Sequence, residues 1–107
     1  MAVFVALDST GHIVGTVGYN VPDRHEGHLR GMAVKPDQAG SGVAQQLMEA
    51  VEAELRARKC RRITLDTTRP LERAMRFYER NGFKPSGVVR DFFGMELVEY
   101  VKALHQL

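Results

Sequence analysis

A short stretch with two glycines holds the residues whose types and spacing best fit a chemical task. Gly40 and Gly42 precede an amphipathic segment whose first turn, Val43 to Gln46, has no acidic side chain. A helix start exposes unpaired backbone N–H groups and the positive end of the helix dipole, which Asp or Glu usually complements. The sequence therefore predicts that an external anion, such as a phosphate group, binds at this helix start.

Spacing separates three kinds of phosphate-binding loop. A Walker A loop requires Lys and then Ser or Thr after its last glycine, where Val43 and Ala44 stand. A dinucleotide loop requires a third glycine at Gln45, although Asp66 lies at a suitable distance along the chain for a ribose contact. The third loop reads Arg or Gln, then x-x-Gly-x-Gly/Ala, and Gly42 and Ala44 fit its last two required positions. The spacing favours this third loop and leaves the dinucleotide loop as the weaker alternative.

Three further segments extend the third pattern to both sides of the loop. They read HLRGMAVKP at residues 28–36, RRITLDT at 61–67 and AMRFYERNGFKP at 74–85. Taken in this order, they resemble the Gcn5-related N-acetyltransferase (GNAT) superfamily. The resemblance implies that the chain binds acetyl-coenzyme A. It also implies transfer of the acetyl group, by direct attack, to a primary amine of a small molecule or a protein.

The resemblance assigns two sets of cofactor-binding residues. The backbone of Met32, Ala33 and Val34 would pair with the pantetheine arm as an extra strand and direct an N–H at the thioester oxygen. The pyrophosphate would lie on the loop formed by Ala39, Gly40, Ser41, Gly42, Val43 and Ala44. A glycine inside a strand, here Gly31, independently suggests a bulge or a close approach of backbone, which would open a gap for such a cofactor.

Acetyl transfer needs a deprotonated amine, a stabilised oxyanion and a protonated leaving thiolate. The resemblance makes His28 the candidate base, since many relatives have Glu there, and imidazole accepts a proton near neutral pH. Glu26 is the alternative base, and a plain surface role for His28 stays open. Tyr78 follows Leu71, Ala74 and Met75 at helical spacing, which directs its phenol along the apolar face. By resemblance Tyr78 is the general acid; otherwise it is a core tyrosine.

Two departures from the family pattern bear on activity. Ala39 stands where the loop usually begins with Arg or Gln, and Leu71 stands where an Asn is common. Both remove a polar contact, so cofactor binding is expected to be weakened or rearranged. A second hypothesis is therefore a catalytically weak module that binds coenzyme A or regulates a partner. A third is a truncated subunit that depends on a separate chain.

The elements that must position these residues follow from hydrophobic periodicity and turn signals. Two helices are predicted, the first over residues 42–59 and the second ending at Asn81-Gly82. Strands are predicted over residues 3–7, 13–21, 28–34, 63–66, 83–89 and 95–101. The result is an α/β fold with a mixed, mostly antiparallel central sheet and two main helices. By resemblance this is a GNAT-like fold without its N-terminal strand and two helices.

Composition narrows the class of protein. A chain of 107 residues with 44% hydrophobic and 26% charged residues is expected to form one domain. A net charge of +2, with a basic run at residues 56–62 placed to cap a helix end, argues against a nucleic-acid partner. The single Cys60 offers neither a disulfide nor a metal site. No leader or membrane span is expected at the N-terminus, so the location is expected to be cytoplasmic. An uncovered sheet edge would favour a homodimer.

Overall fold

The computed structural model describes residues 1–68 and 72–104, which form six strands, two α-helices and one short 3-10 turn. The elements are β1 (Ala2–Leu7), β2 (Ile13–Asp23), β3 (Glu26–Val34), the turn Pro36–Gln38, α1 (Val43–Ala57), β4 (Arg62–Thr67), α2 (Glu72–Arg80), β5 (Lys84–Phe92) and β6 (Met95–Ala103). The predicted α/β class is confirmed. Each predicted element exists, with bounds that differ by a few residues.

The strands form one sheet in the order β1-β2-β3-β4-β6-β5. Only β3 and β4 run parallel to each other; the other neighbouring pairs are antiparallel. This is the mixed, mostly antiparallel sheet that the sequence predicted. The final hairpin folds back, so β6 lies beside β4 and β5 forms the edge of the sheet.

The parallel pair separates part of the way along its length. Pairing of β3 with β4 begins at Glu26 and Arg62 and ends at Leu29 and Leu65, although β3 continues to Val34. The register of β3 against β2 also shifts between Leu29 and Gly31, because Arg30 is an extra residue there. A bulge of this kind bends its strand. The result is a V-shaped gap between β3 and β4, at the position that Gly31 suggested.

Helix α1 covers one face of the sheet. Gly15 and Gly27 lie beneath it, where an added Cβ would collide with the side chains of Val43 and Leu55 respectively. These glycines let the helix approach the strands closely. The buried cluster on this face comprises Val17, Tyr19, Leu29, Leu47, Met48, Val51, Leu55, Cys60, Ile63, Leu65, Phe83, Tyr100 and Leu104.

Both helices end in the same way, with a Schellman motif. At the end of α2, Phe83 N–H donates to Tyr78 C=O and Gly82 N–H donates to Glu79 C=O. At the end of α1, the left-handed position belongs to Lys59, with φ 63°, rather than to a glycine. Two predicted boundaries are corrected by these caps: α1 ends at Ala57 instead of residue 59, and Phe83 caps α2 instead of opening β5.

The opposite face of the sheet is polar along β3, β4 and β6. Successive strand residues point to opposite faces. Since Leu29 and Leu65 are buried on the helix side, their neighbours His28, Thr64 and Asp66 point to the other side. We refer to this surface as the open face. Neither α-helix within residues 1–68 and 72–104 is long and apolar enough to cross a membrane.

Candidate active site

The glycine loop has the geometry of an anion site. Gly40 and Gly42 both adopt left-handed backbone, with φ of 81° and 92°, and an added Cβ at either would project into open space. Gly42 is the N-cap of α1, and no side chain caps this end. The first helical hydrogen bond is donated by Gln46 N–H to Gly42 C=O. Within the described residues, the N–H groups of the first turn therefore have no protein acceptor.

Ser41 and Ala39 are held by the turn that precedes the loop. The Ser41 hydroxyl donates to Gln38 C=O at 2.5 Å, and the Ala39 N–H donates to Pro36 C=O at 3.2 Å. These bonds fix the backbone between the end of β3 and the start of α1. Val43 and Ala44 form the first turn of α1 and are half-buried.

The end of β3 offers its backbone to the gap. Lys35 N–H donates to Val14 C=O of β2 at 2.9 Å. Because N–H directions alternate along a strand, the N–H of Ala33 also faces β2, whereas those of Met32 and Val34 face the gap. The gap side of β3 beyond Leu29 is not paired with β4. An extended ligand can therefore add as a strand between β3 and β4, with Met32 and Val34 as its partners.

His28 lies on the open face where the gap begins. Its Nδ1 is 2.7 Å from Thr64 Oγ1, and its Nε2 is 3.8 Å from Asp66 Oδ2. The His28 side chain is 18% exposed, so solvent or a substrate can reach it. Its position is fixed because His28 and Thr64 are directly paired in the parallel register.

Glu26, the alternative base, lies two residues earlier on the same face. Arg62 Nη2 donates to its Oε2 at 2.8 Å, and Thr64 Oγ1 donates to its Oε1 at 3.5 Å. Both carboxylate oxygens are thus engaged. The arrangement favours His28 over Glu26 as the group that accepts a proton from a substrate.

Tyr78 lies on the helix side of the sheet. Its ring packs against Phe77, Phe83 and Tyr100, with ring centroids 5.8, 6.0 and 6.1 Å away. The hydroxyl has no hydrogen-bond partner among residues 1–68 and 72–104. Burial raises the pKa of the Tyr78 phenol. The phenol therefore keeps its proton at neutral pH, as a proton donor must.

The structure thus places the candidate residues on both sides of the sheet. Leu65 is paired with Tyr100, and Tyr78 packs on Tyr100, which puts Tyr78 on the helix side. His28 lies on the open face, as argued above. The gap between β3 and β4 connects the two faces. The Leu71 position and the predicted Pro70 helix start lie outside the described residues.

Sequence reasoning missed an ion-pair chain on the open face. Arg90 Nη1 donates to Asp66 Oδ1 at 3.1 Å, and Arg90 Nη2 donates to Glu99 Oε2 at 3.0 Å. Ser86 Oγ donates to Glu99 Oε1 at 2.9 Å. Burial raises the pKa of the Glu99 carboxyl, but the hydrogen bonds from Ser86 and Arg90 outweigh it and hold that pKa below its ordinary value. The alternation of Arg62, Thr64 and Asp66 in β4 was the available signal.

Other chemistry has less support within residues 1–68 and 72–104. No group of three or more His, Cys, Asp or Glu residues there is placed to hold a metal ion. Cys60 is buried, and burial raises the pKa of its thiol, which disfavours a thiolate nucleophile.

A family model now decides the relationship. The model described as "Acetyltransferase (GNAT) family" matches residues 1–83. The chain belongs to the GNAT family of acetyltransferases. The resemblance noted from the sequence motifs is therefore confirmed, and so is the GNAT-like fold.

Solved structures agree with this assignment. An acetyltransferase from Bacillus cereus ATCC 14579 superposes with a TM-score of 0.79 at 25% identity, over 96% of this chain and 72% of that one. Nourseothricin acetyltransferase gives 0.84 at 22% identity, over 94% and 64%. A GNAT family acetyltransferase from Elizabethkingia anophelis, solved with acetyl-CoA bound, gives 0.80 at 14% identity, over 95% and 75%. This chain thus spans about two thirds to three quarters of the length of these GNAT structures.

Proposed function

We propose that this GNAT protein transfers an acetyl group from acetyl-coenzyme A to a primary amine. The observation that carries the proposal is the gap between β3 and β4, where pairing stops after Leu29 and Leu65. The gap lies next to a helix start whose N–H groups have no acceptor within the described residues. It also connects a candidate base on one face with a candidate acid on the other. A direct attack of the amine on the thioester fits this arrangement.

The cofactor would be held almost entirely by backbone. The first-turn N–H groups of α1 and the left-handed residues Gly40 and Gly42 would bind the pyrophosphate. The N–H groups of Met32 and Val34 would pair with the pantetheine arm. Backbone donors do not depend on side-chain identity, so Ala39 does not remove the site. It removes one polar side chain from the edge of the site.

Two side chains would handle protons. His28 would take a proton from the acceptor ammonium, because Glu26 is already engaged by Arg62 and Thr64. Tyr78 would protonate the departing thiolate, since burial favours its neutral form. General acid and base groups of this kind contribute roughly 10²- to 10⁴-fold each. The thioester would lie in the gap between them.

The partners are part of the proposal. The acceptor is an amine-bearing small molecule or a protein, and the fully exposed strand β5 and the outward residues Val3, Val5 and Leu7 of β1 support association into a homodimer. Sedimentation equilibrium would test the dimer. A monomer at all concentrations would remove it from the proposal without touching the catalytic part.

An acetylation assay tests the function. The full chain is incubated with ¹⁴C-acetyl-coenzyme A and a panel of amines: polyamines, amino acids, aminoglycosides and lysine-containing peptides. Labelled product that disappears in the Tyr78→Phe variant is the expected result. Binding of acetyl-coenzyme A without transfer to any amine would favour the binding module, the second hypothesis, for which the substitution at Ala39 is the supporting observation. Absence of both would contradict the proposal.

A further inference from the structure

His28 has a different partner on each ring nitrogen, and the two partners have opposite character. Thr64 Oγ1 is within hydrogen-bond distance of Nδ1, at 2.7 Å, whereas the Asp66 carboxylate is 3.8 Å from Nε2. The second distance exceeds a hydrogen bond but lies within ion-pair reach. A neutral imidazole has one N–H and one acceptor nitrogen, and its neighbours decide which is which.

We propose that Thr64 and Asp66 make His28 a directed base, in which Nδ1 holds the resting proton and Nε2 accepts the proton of the acceptor ammonium. Asp66 then stabilises the imidazolium that forms. The inference rests on the proposed function, because the ammonium is its proton source. Thr64 and Asp66 act through His28 and are positioning residues.

The Thr64 hydroxyl selects the tautomer. Thr64 Oγ1 donates to Glu26 Oε1 at 3.5 Å, so its lone pairs are left to accept from His28. With Nδ1–H present, the ring therefore has a good acceptor at 2.7 Å. With Nε2–H present instead, the ring would face Asp66 across 3.8 Å, too far for a hydrogen bond. The resting ring consequently presents the Nε2 lone pair.

Asp66 is held in place from the other side. Arg90 binds its Oδ1 and is itself bound by Glu99, which accepts from Ser86. This chain leaves Asp66 Oδ2 pointing at His28. When Nε2 gains a proton, the ring becomes cationic, and a small approach closes an ion pair with the waiting carboxylate.

Other charges on the open face around His28 balance one another. Glu26 on β3 is paired with Arg62 on β4, and Arg90 on β5 is shared by Asp66 and Glu99. Arg30 lies further along β3, beside Gly18 of β2. Of the described carboxylates, Asp66 is the one within 4 Å of the ring. Its charge is therefore the main influence on the imidazolium.

The proton and bond changes balance as follows. The ammonium passes one proton to Nε2, and the freed amine attacks the thioester carbon to form the C–N bond. The C–S bond then breaks. The remaining excess proton on nitrogen leaves as the thiolate is protonated, through the Tyr78 hydroxyl. The products are the N-acetylated amine, coenzyme A thiol and a protonated His28, which returns its proton to solvent.

NMR of the ¹⁵N-His-labelled full chain tests the tautomer without any turnover. The expected spectrum above neutral pH shows His28 as the Nδ1–H form in the wild type. On acidification, the imidazolium signal of His28 should appear at a higher pH in the wild type than in Asp66→Asn. An Nε2–H resting form, or identical titrations in wild type and Asp66→Asn, would overturn the inference.

Kinetics supply the second arm. We expect Asp66→Asn to lower kcat about 10- to 100-fold, within the range of base catalysis, and to move the acidic limb of its pH profile to lower pH. KM for acetyl-coenzyme A should stay within twofold. Thr64→Val should lower kcat about 10-fold, and Thr64→Ser should restore it. Glu96→Gln, which removes one charge from the exposed end of β6, is the matched control.

The two arms separate this inference from the proposed function. Expected NMR behaviour without acetylation of any amine by the wild type would overturn the proposed function and leave the ion pair as a structural feature. Full activity in Asp66→Asn, with an unmoved pH profile, would overturn the inference alone.

Discussion

The two faces of the central sheet are built from alternating residues of the same strands, yet they do different work. On β4, Ile63 and Leu65 are buried beneath the helices, whereas Thr64 and Asp66 face the other way and join the charged network. The helix face therefore carries the free energy of folding, and the open face carries the candidate base. Since strand side chains alternate with a period of two, one six-residue strand can serve both purposes.

The gap between β3 and β4 is where the two faces meet. Tyr78 reaches it from the helix side and His28 from the open face. If the comparison is correct, substitutions on the helix face should change stability, substitutions on the open face should change chemistry, and substitutions at the loop should change cofactor binding. Five predictions test this division, in order of expected effect.

The largest expected effect is on the helix face. Ile63→Ala removes a fully buried side chain and leaves a cavity beside α1, so the free energy of unfolding should fall by about 2 to 5 kcal/mol. The neighbouring Arg62→Ala, on the open face, removes an ion pair whose guanidinium is 54% exposed and should cost less than about 1 kcal/mol. Urea unfolding measures both. Equal losses would break the comparison of the faces.

The second prediction concerns the loop. Gly42→Val places a β-branched residue at φ 92° and fills the open space above the loop. Affinity for acetyl-coenzyme A should fall by about 100-fold or more, since backbone N–H groups can no longer approach the phosphates. Gly11→Val is the matched control, because Gly11 has φ 87° with equally open space in the β1–β2 turn. Retained affinity in Gly42→Val would move the phosphate site elsewhere.

The third prediction separates chemistry from packing on the helix side. Tyr78→Phe keeps the aromatic ring but removes the proton donor, so kcat should fall about 10- to 100-fold. Affinity for coenzyme A should be nearly unchanged. Tyr100→Phe removes a hydroxyl from the same aromatic cluster and should leave kcat within twofold. Unchanged turnover in Tyr78→Phe would make Tyr78 a core tyrosine.

The fourth prediction uses the lowered pKa of Glu99. A carboxyl whose pKa is depressed on folding stabilises the protein above its unfolded pKa, and this contribution is lost as pH falls through the folded pKa. The wild type should exceed Glu99→Gln by about 1 kcal/mol at pH 7, and the difference should shrink below about pH 4.5. Thermal unfolding from pH 3 to 7 measures it. A difference that grows on acidification would reverse the sign of the argument.

The smallest effect sharpens the helix side. Lys59 occupies the left-handed position that glycine favours at the end of α1. Lys59→Gly should raise the free energy of unfolding by about 0.5 to 1 kcal/mol, because glycine adopts this backbone without strain. Lys59→Ala removes the charge but keeps the strain and should give no gain. A loss of stability in Lys59→Gly would mean that the lysine side chain contributes more than its backbone costs.

Much of the fold was predictable because the signals were local. Apolar periodicity located the strands and helices, Asn81-Gly82 marked the end of α2, and Gly31 marked the bulge. The position of β5 was less accessible. Turn residues predict a hairpin from β5 and β6, but which strand pairs with β4 depends on contacts between Leu65 and Tyr100 that are distant in sequence.

The candidate site divides in the same way. The loop residues form a continuous segment, so a single pattern found them. The Asp66–Arg90–Glu99 chain joins three strands, and no short motif records such a juxtaposition. The backbone directions of Met32, Ala33 and Val34 likewise follow from the β2–β3 register rather than from residue type.

Calorimetric titration of acetyl-coenzyme A into the wild-type protein, with NAD as the comparison ligand, tests the central claim most directly. The account predicts micromolar binding of acetyl-coenzyme A with one site per chain, and no binding of NAD. Equal affinity for NAD, or no binding of acetyl-coenzyme A, would contradict the claim that the glycine loop and the gap between β3 and β4 form an acetyl-coenzyme A site.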